Sequence, residues 1–298
     1  MNKEFKSGFV SIVGRPNVGK STLMNQLVGE KIAIVSNRPQ TTRNKITSIL
    51  TTEECQIVFI DTPGLHAPKT KLGNYMVKSA QNALSGVDLV LYLVEPTAKV
   101  STADEAIIST LPKNTVLVIN KADTVKKPEI LLTIDAFSKK FSFLEIVPIS
   151  ALTGENTPAL LETISKYMQA GPKYFPDDMI TDQPERKIAS ELIREKALTF
   201  LQEEIPHGIA VEIVSMKARS KADIVDVDAT IYCERESHKS IVIGKAGAML
   251  KKIGATARKD MERLLGSPIN LQIWVKVSKR WRDNDFVLKD LGYDSKKI

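Results

Sequence analysis

Eight residues, Gly14-Arg15-Pro16-Asn17-Val18-Gly19-Lys20-Ser21, follow the apolar run Phe9 to Val13 and open a helix-compatible stretch through Leu23, Met24, Leu27 and Val28. This is the pattern of a phosphate-binding loop in its expected setting. Glycines let the chain fold around an anion, so that successive backbone N–H groups and a helix N-terminus point at phosphates. Lys20 supplies a mobile positive charge for the β- and γ-phosphates, and the Ser21 hydroxyl is placed to ligate Mg²⁺.

Strand-like apolar runs recur at Phe9–Val13, Ile57–Ile60, Leu89–Val94, Val116–Ile119 and Ile146–Ile149, with helix-compatible segments between them. Such alternation predicts an α/β domain with a mostly parallel sheet and helices on both faces, with ligands at the carboxyl ends of the strands. Residues 160–168 read as its closing helix. Gly171 to Asp178, with Pro184 soon after, has neither period and reads as a linker. Beyond it the order is helix (185–201), two alternating strands (209–216 and 224–233), a short apolar element (241–243), the turn Gly244-Lys245-Ala246-Gly247, a helix (248–265) and a strand (269–277). The expected division is 1–170, a linker at 171–185, and an α+β domain at 186–298.

A chain of 298 residues is long enough for two such cores. No apolar stretch approaches the roughly 18 residues that cross a bilayer, and Met1 to Lys6 lacks a signal-peptide core, so a cytoplasmic location is expected. Cys55 and Cys233 stand far apart in strand-like runs, as packing residues would. The net charge of +7 is localised. Lys239 to Arg280 holds ten basic and two acidic residues, so this segment carries +8 and the remainder −1. A polyanion, RNA or an anionic membrane surface, is the partner such a segment suits; a solvated lysine-rich helix face fits the charge equally well.

Two further groups of residues complete a guanine-nucleotide site. Asp61-Thr62-Pro63-Gly64 ends the second strand-like run: Asp61 can hold Mg²⁺ through water, and Gly64 can bring its N–H to the γ-phosphate. Asn120-Lys121-Ala122-Asp123 ends another strand. A carboxylate at Asp123 accepts from N1–H and the exocyclic amine of guanine, which adenine cannot offer on that edge, so leaving it buried without these partners would reject ATP. Asn120 is placed to brace the loop and approach the other edge of the base. Ser150-Ala151 would offer a backbone N–H to guanine O6.

Together with Gln40-Thr41-Thr42-Arg43, these motifs resemble the Era-like family of bacterial GTPases. Val242 to Gly247 with Leu250, Lys251 and Ile253 resembles a KH RNA-binding domain of the second type, and Trp281-Arg282 through Leu291-Gly292-Tyr293 matches the family's tail, so the likeness spans the whole chain. It implies that GTP and GDP are bound with Mg²⁺, that Lys20, Thr42, Gly64 and Asn17 serve hydrolysis, and that Ser21, Thr42 and Asp61 hold the metal. Two adjacent threonines leave Thr41 as the competing switch residue. Leu65 stands where many small GTPases carry a water-orienting glutamine. Relatives with an apolar residue there include some that use a monovalent cation, and Asn17 matches their K⁺-coordinating asparagine, although it can also simply brace the loop.

In a KH domain the Gly-x-x-Gly turn clamps about four single-stranded nucleotides. Here that implicates Gly244, Lys245, Ala246 and Gly247, with Lys251 and Lys252 on phosphates, while Ile241, Ile243, Leu250 and Ile253 divide between core and a floor for bases. Trp274 and Trp281 could stack on bases, although Trp274 in a strand is more often a core residue, and neither is taken as a binding residue. The likeness implies a monomeric factor that binds the 3′ end of 16S ribosomal RNA in assembly of the 30S subunit. Two alternatives are a non-catalytic RNA-binding adaptor and a signalling GTPase held peripherally on the inner face of the cell membrane; a lipid patch needs charge but has no use for a Gly-x-x-Gly turn.

Overall fold

The computed structural model describes residues 4–36, 38, 40–64, 68, 70–202, 205–220 and 223–294. Leu65 lies outside them. Two compact units result, Met1–Ala33 with Thr42–Pro68 and Met76–Asp182, and Ile34–Thr41 with Lys69–Tyr75 and Gln183–Ile298. No helix among the described residues is long and apolar enough to cross a membrane.

In the first unit the elements run β1 (Lys6–Gly14), α1 (Lys20–Val28), β2 (Ile46–Thr51), β3 (Cys55–Asp61), α2 (Lys71–Asn82, whose first turn groups with the second unit), β4 (Leu89–Val94), α3 (Thr102–Ile108), β5 (Thr115–Ile119), α4 (Lys127–Ser138), β6 (Ile146–Pro148), α5 (Thr157–Tyr167) and β7 (Gln169–Ala170). The sheet order is β2-β3-β1-β4-β5-β6, and β7 pairs antiparallel with the start of β1. β3, β1, β4, β5 and β6 are parallel, whereas β2 runs antiparallel to β3. Strands covered on both faces read as unbroken apolar runs, and β4 and β5 are buried at every position. β2 escaped sequence reading because Thr47 and Ser48 interrupt its apolar residues, although both polar side chains are buried. Parallel strands put four carboxyl ends together: Gly14 of β1, Asp61 of β3, Ile119 of β5 and Pro148 of β6 each lead into one of the motifs read from the sequence.

The expected linker is mostly part of this unit. Tyr174 N and Phe175 N donate to Gln56 Oε1 at 2.7 and 3.0 Å, and Gln56 Nε2 donates back to Phe175 O at 2.9 Å. Ile49 N donates to Ile180 O at 2.9 Å, and Thr181 Oγ1 to Thr47 O at 2.6 Å. The first unit runs to Asp182 and the second resumes at Gln183, while Ile34–Thr41 and Lys69–Tyr75, read within 1–170 from the sequence, group with the second unit.

The second unit carries α6 (Glu185–Phe200), β8 (Ala210–Ala218), β9 (Val225–Cys233), α7 (Glu236–Ile243), α8 (Ala248–Leu265), β10 (Ile269–Val277) and α9 (Asp285–Asp290). Its three-stranded sheet has the order β10-β9-β8, with β8 antiparallel and β10 parallel to β9. Ile188, Leu192 and Ile193 of α6 and Ile253, Ala257 and Met261 of α8 pack on Val227, Ala229 and Ile231 of β9 to form its core. The apolar residues 241–243 prove to be the last turn of α7. Trp274 is 48% exposed on β10, contrary to its reading as core, because alternation turns it to the face opposite Ile273 and Val275. Trp281 is instead fully buried and donates Nε1–H to Gly208 O at 2.9 Å.

Candidate nucleotide and RNA sites

The loop between β1 and α1 depends on glycine at Gly19, whose φ is +98° and where a Cβ would stand 2.2 Å from Asn120 Nδ2. Lys20 is buried and curls back so that Nζ donates to Gly14 O at 3.1 Å and Arg15 O at 3.0 Å. Burial lowers its pKa to about 8, against the opposing pull of the Asp61 carboxylate. Two residues that sequence reading missed fix the flanks. Arg15 Nε lies 3.1 Å from buried Asp104 Oδ1 on α3, which also accepts from Tyr92 OH at 2.8 Å, while its Oδ2 accepts from Ser101 Oγ at 2.6 Å. Lys121 Nζ pairs with Glu95 and donates to Asn17 O at 3.0 Å, while Asn17 itself is exposed with φ +66°. A lone Asp or Glu within a helix or loop carries no periodic signal that would have revealed Asp104 or Glu95.

At the end of β3 three oxygens meet. Asp61 Oδ2 accepts from Ser21 Oγ at 2.6 Å and from Thr42 Oγ1 at 3.3 Å, and the two hydroxyls are 2.9 Å apart. Thr41 does not join them: its hydroxyl donates to Arg38 O at 2.6 Å. Asp61 is fully buried, and burial raises its pKa against Lys20 and the hydrogen bonds from Ser21, Thr42 and Thr62. Its Oδ1 is buried with no hydrogen-bond partner. A desolvated carboxylate oxygen beside two hydroxyls suits a hard divalent cation that completes its shell with water and phosphate. Among the described residues no group of three or more His, Cys, Asp and Glu could hold a metal ion. Thr62 and Pro63 are buried, with Thr62 Oγ1 donating to Ile12 O at 2.8 Å. Gly64 lies against the phosphate loop so closely that a Cβ would meet Pro16 Cα and N at 2.8 Å.

At the base end, Asn120 is a brace between motifs. Its Nδ2 donates to Val18 O at 2.8 Å, and its Oδ1 accepts from Ala151 N at 2.9 Å. The N–H groups expected to face guanine O6 are thus engaged within the protein, since Ser150 N donates to Glu155 O at 3.0 Å. Ala122 N donates to Ile149 O at 3.0 Å, joining the two strand ends, and Asp123 is exposed on the turn that follows.

In the second unit, Gly244 to Gly247 forms the tight turn between α7 and α8, with Ala246 at φ +50°. Gly247 begins α8 at φ +77° with open space where a Cβ would stand. Lys245, Lys251 and Lys252 are all exposed, and Lys252 lays its ammonium over the Phe200 ring, 4.3 Å from the centroid. Val242 and Ile253 are fully buried, and Ile241 faces outward.

Residues 9–121 match a family described as 50S ribosome-binding GTPase, and residues 204–282 match the KH domain family. GTPase Era of Clostridioides difficile (strain 630) is 57% identical over 98% of this chain and 100% of its own length, and GTPase Era of Clostridium kluyveri (strain NBRC 12016) is 54% identical over 97% and 99%. A crystal structure of a point variant of Aquifex aeolicus Era bound to GDP.AlF4- superimposes with a TM-score of 0.94 at 41% identity, covering 97% of this chain and 100% of that one. Era in complex with MgGDPNP and nucleotides 1506–1542 of 16S ribosomal RNA gives the same score and identity over 97% and 99%. A phosphate loop, a hydroxyl-carboxylate corner and a Gly-x-x-Gly turn, in a chain alike to these relatives from end to end, lead to one conclusion: it belongs to the Era family of GTPases.

Proposed function

We propose that this GTPase binds the 3′ end of 16S ribosomal RNA through its KH domain, promotes maturation of that RNA and assembly of the 30S subunit, and uses its nucleotide state to gate RNA binding. The observation that carries the reading is the meeting of Ser21, Thr42 and Asp61 at the phosphate loop in a chain whose other unit presents Gly244 to Gly247 between two helices. The relative solved with MgGDPNP and 16S nucleotides supports it.

In this reading the loop N–H groups from Gly14 to Ser21 and the Lys20 ammonium hold the phosphates. Mg²⁺, held by the Ser21 and Thr42 hydroxyls and through water by Asp61, would offset charge on the β- and γ-phosphates. Gly64 donates its N–H to the γ-phosphate, and Asp123 selects guanine, with Asn120, Ala151 and Lys121 holding the loops around the base. Asn17, whose carbonyl Lys121 fixes and which is exposed, would be the residue to hold a K⁺, whose charge would offset that developing on the phosphates in hydrolysis. Lys245 and Lys251 meet RNA phosphates as the backbone passes the Gly-x-x-Gly turn.

Crosslinking in cells followed by sequencing of the bound RNA tests the reading, with enrichment of the 16S 3′ end expected. Gly247→Asp separates the two units. Its Cβ meets open space, and Asp is among the few side chains that adopt left-handed backbone as single residues, so the strain at φ +77° stays within the turn, while the new charge opposes a phosphate. RNA affinity should fall at least ~10-fold with GTP binding intact. Normal RNA binding by this variant, with binding abolished by Lys239→Glu or Arg280→Glu, would move the site to a general basic face.

A further inference from the structure

Residues Ile34–Thr41 group with the C-terminal unit, and α6 holds them with charged residues spaced three and four apart, hence on one helix face. Glu195 Oε1 accepts from Val35 N at 2.9 Å. Arg194, 1% exposed, donates Nη1 to Gln40 O at 3.4 Å and Nη2 to Thr41 O. On its other edge the guanidinium is gripped by Glu191, with Nε 3.0 Å from Oε1 and Nη2 bonded to Oε2. Arg38 Nη2 adds a contact to Leu201 O, the C-cap of α6, at 3.4 Å.

A guanidinium is planar and permanently charged, so one fork can hold a carboxylate while the opposite donors hold carbonyls. A buried charge of this kind tolerates poorly the loss of any partner. The carbonyls it holds are the last two before Thr42. The next residue along the chain places its hydroxyl at Ser21 and Asp61.

We propose that Arg194, held by Glu191, is a positioning residue for Thr42: it fixes the backbone immediately ahead of that threonine and makes the seating of Thr42 and the state of the RNA-binding unit one linked equilibrium. The proposal rests on the function proposed above for the identity of the nucleotide and of the RNA. Linkage then requires that the factor by which a GTP analogue changes RNA affinity, relative to GDP, equals the factor by which RNA changes the preference for that analogue.

The test uses the full chain in two forms. Glu191→Gln combined with Arg194→Met removes both charges at similar volume and leaves no lone buried carboxylate. Arg194→Lys keeps the charge and loses the fork. Fluorescent GDP and a non-hydrolysable GTP analogue are titrated with Mg²⁺, and a 16S 3′-end oligonucleotide is titrated against each nucleotide state. Both variants should keep GDP affinity within twofold, lose ~5- to 10-fold in analogue affinity, and require more Mg²⁺ to recover it, as expected from one or two lost hydrogen bonds. The ratio of RNA affinities in the two states should move toward one. An unchanged ratio of analogue to GDP affinity overturns the proposal, as does an equal loss for both nucleotides with a lowered melting temperature, which marks a purely structural role. If the native chain bound no RNA in either state, the functional reading would fail, and the nucleotide ratio would still decide the role of Arg194.

Discussion

Replacing Gly64 by alanine isolates one contact of the site. The backbone there lies outside the left-handed region, so alanine meets no conformational penalty, and the effect is one of space alone. The added carbon would stand 2.8 Å from Pro16 Cα and N and 2.9 Å from Pro16 Cγ. Pro16 is poorly placed to yield, because Arg15 is anchored to Asp104 and the Asn17 carbonyl to Lys121. Ordinary carbon contacts begin at about 3.5 Å, so the Asp61–Gly64 turn must retreat by roughly 0.7 Å or more from the phosphate loop. A displacement near 1 Å at a reacting centre costs on the order of 100-fold in rate, or about 2.7 kcal/mol of barrier. GDP has no γ-phosphate and should bind Gly64→Ala within threefold of native. Single-turnover hydrolysis of GTP, with fluorescent GDP titration alongside, measures both quantities. Hydrolysis within threefold of native would refute the argument, since it would mean that the turn accommodates the carbon without losing its place.

Asp123→Asn should weaken GTP at least ~10-fold, the loss expected for hydrogen bonds to a charged group, while xanthosine nucleotides bind comparatively better; unchanged binding of both would remove Asp123 from the site. K⁺ should accelerate hydrolysis over Na⁺ at equal ionic strength, and Asn17→Ala should erase most of the difference, whereas equal native rates in the two salts would exclude K⁺. Lys20 titrates near 8 in the free protein, and a phosphate beside it favours the ammonium and raises that value. Nucleotide binding above pH 8 should therefore take up a proton and weaken as pH rises, a change that calorimetry in buffers of different ionisation enthalpy would register and that Lys20→Met would abolish.

Elements that bury one continuous apolar surface were legible in the sequence. Residues 248–265 and 269–277 form α8 and β10 with the bounds read from periodicity, and β4 and β5 follow their apolar runs closely. Motifs whose chemistry is local, such as the phosphate loop, were legible for the same reason: the backbone shape and the ligand groups lie within eight residues. What stayed hidden depends on side chains brought together from distant positions. Asp104 is a surface-type residue on α3 until Arg15, Tyr92 and Ser101 surround it, and Arg194 reads as one more charge on an amphipathic helix. Trp274 left its expected surroundings because strand alternation, not aromatic character, decides which face a residue takes, whereas Trp281 lies in a turn beyond that strand and is buried with its N–H on Gly208 O.

The segment that ties Ile180 and Thr181 to β2 also answers a problem common to open sheets. β2 is an outermost strand, with β3 on one side, and its other side would otherwise offer a row of backbone donors and acceptors to any passing strand. Ile180 O occupies the Ile49 N–H, and the Thr181 hydroxyl occupies Thr47 O, from a stretch too irregular to propagate a ladder of its own. This irregular last stretch of the first unit thus works as a guard against self-association through the sheet edge, and removing it would expose a sticky border even though no residue of the nucleotide site had changed.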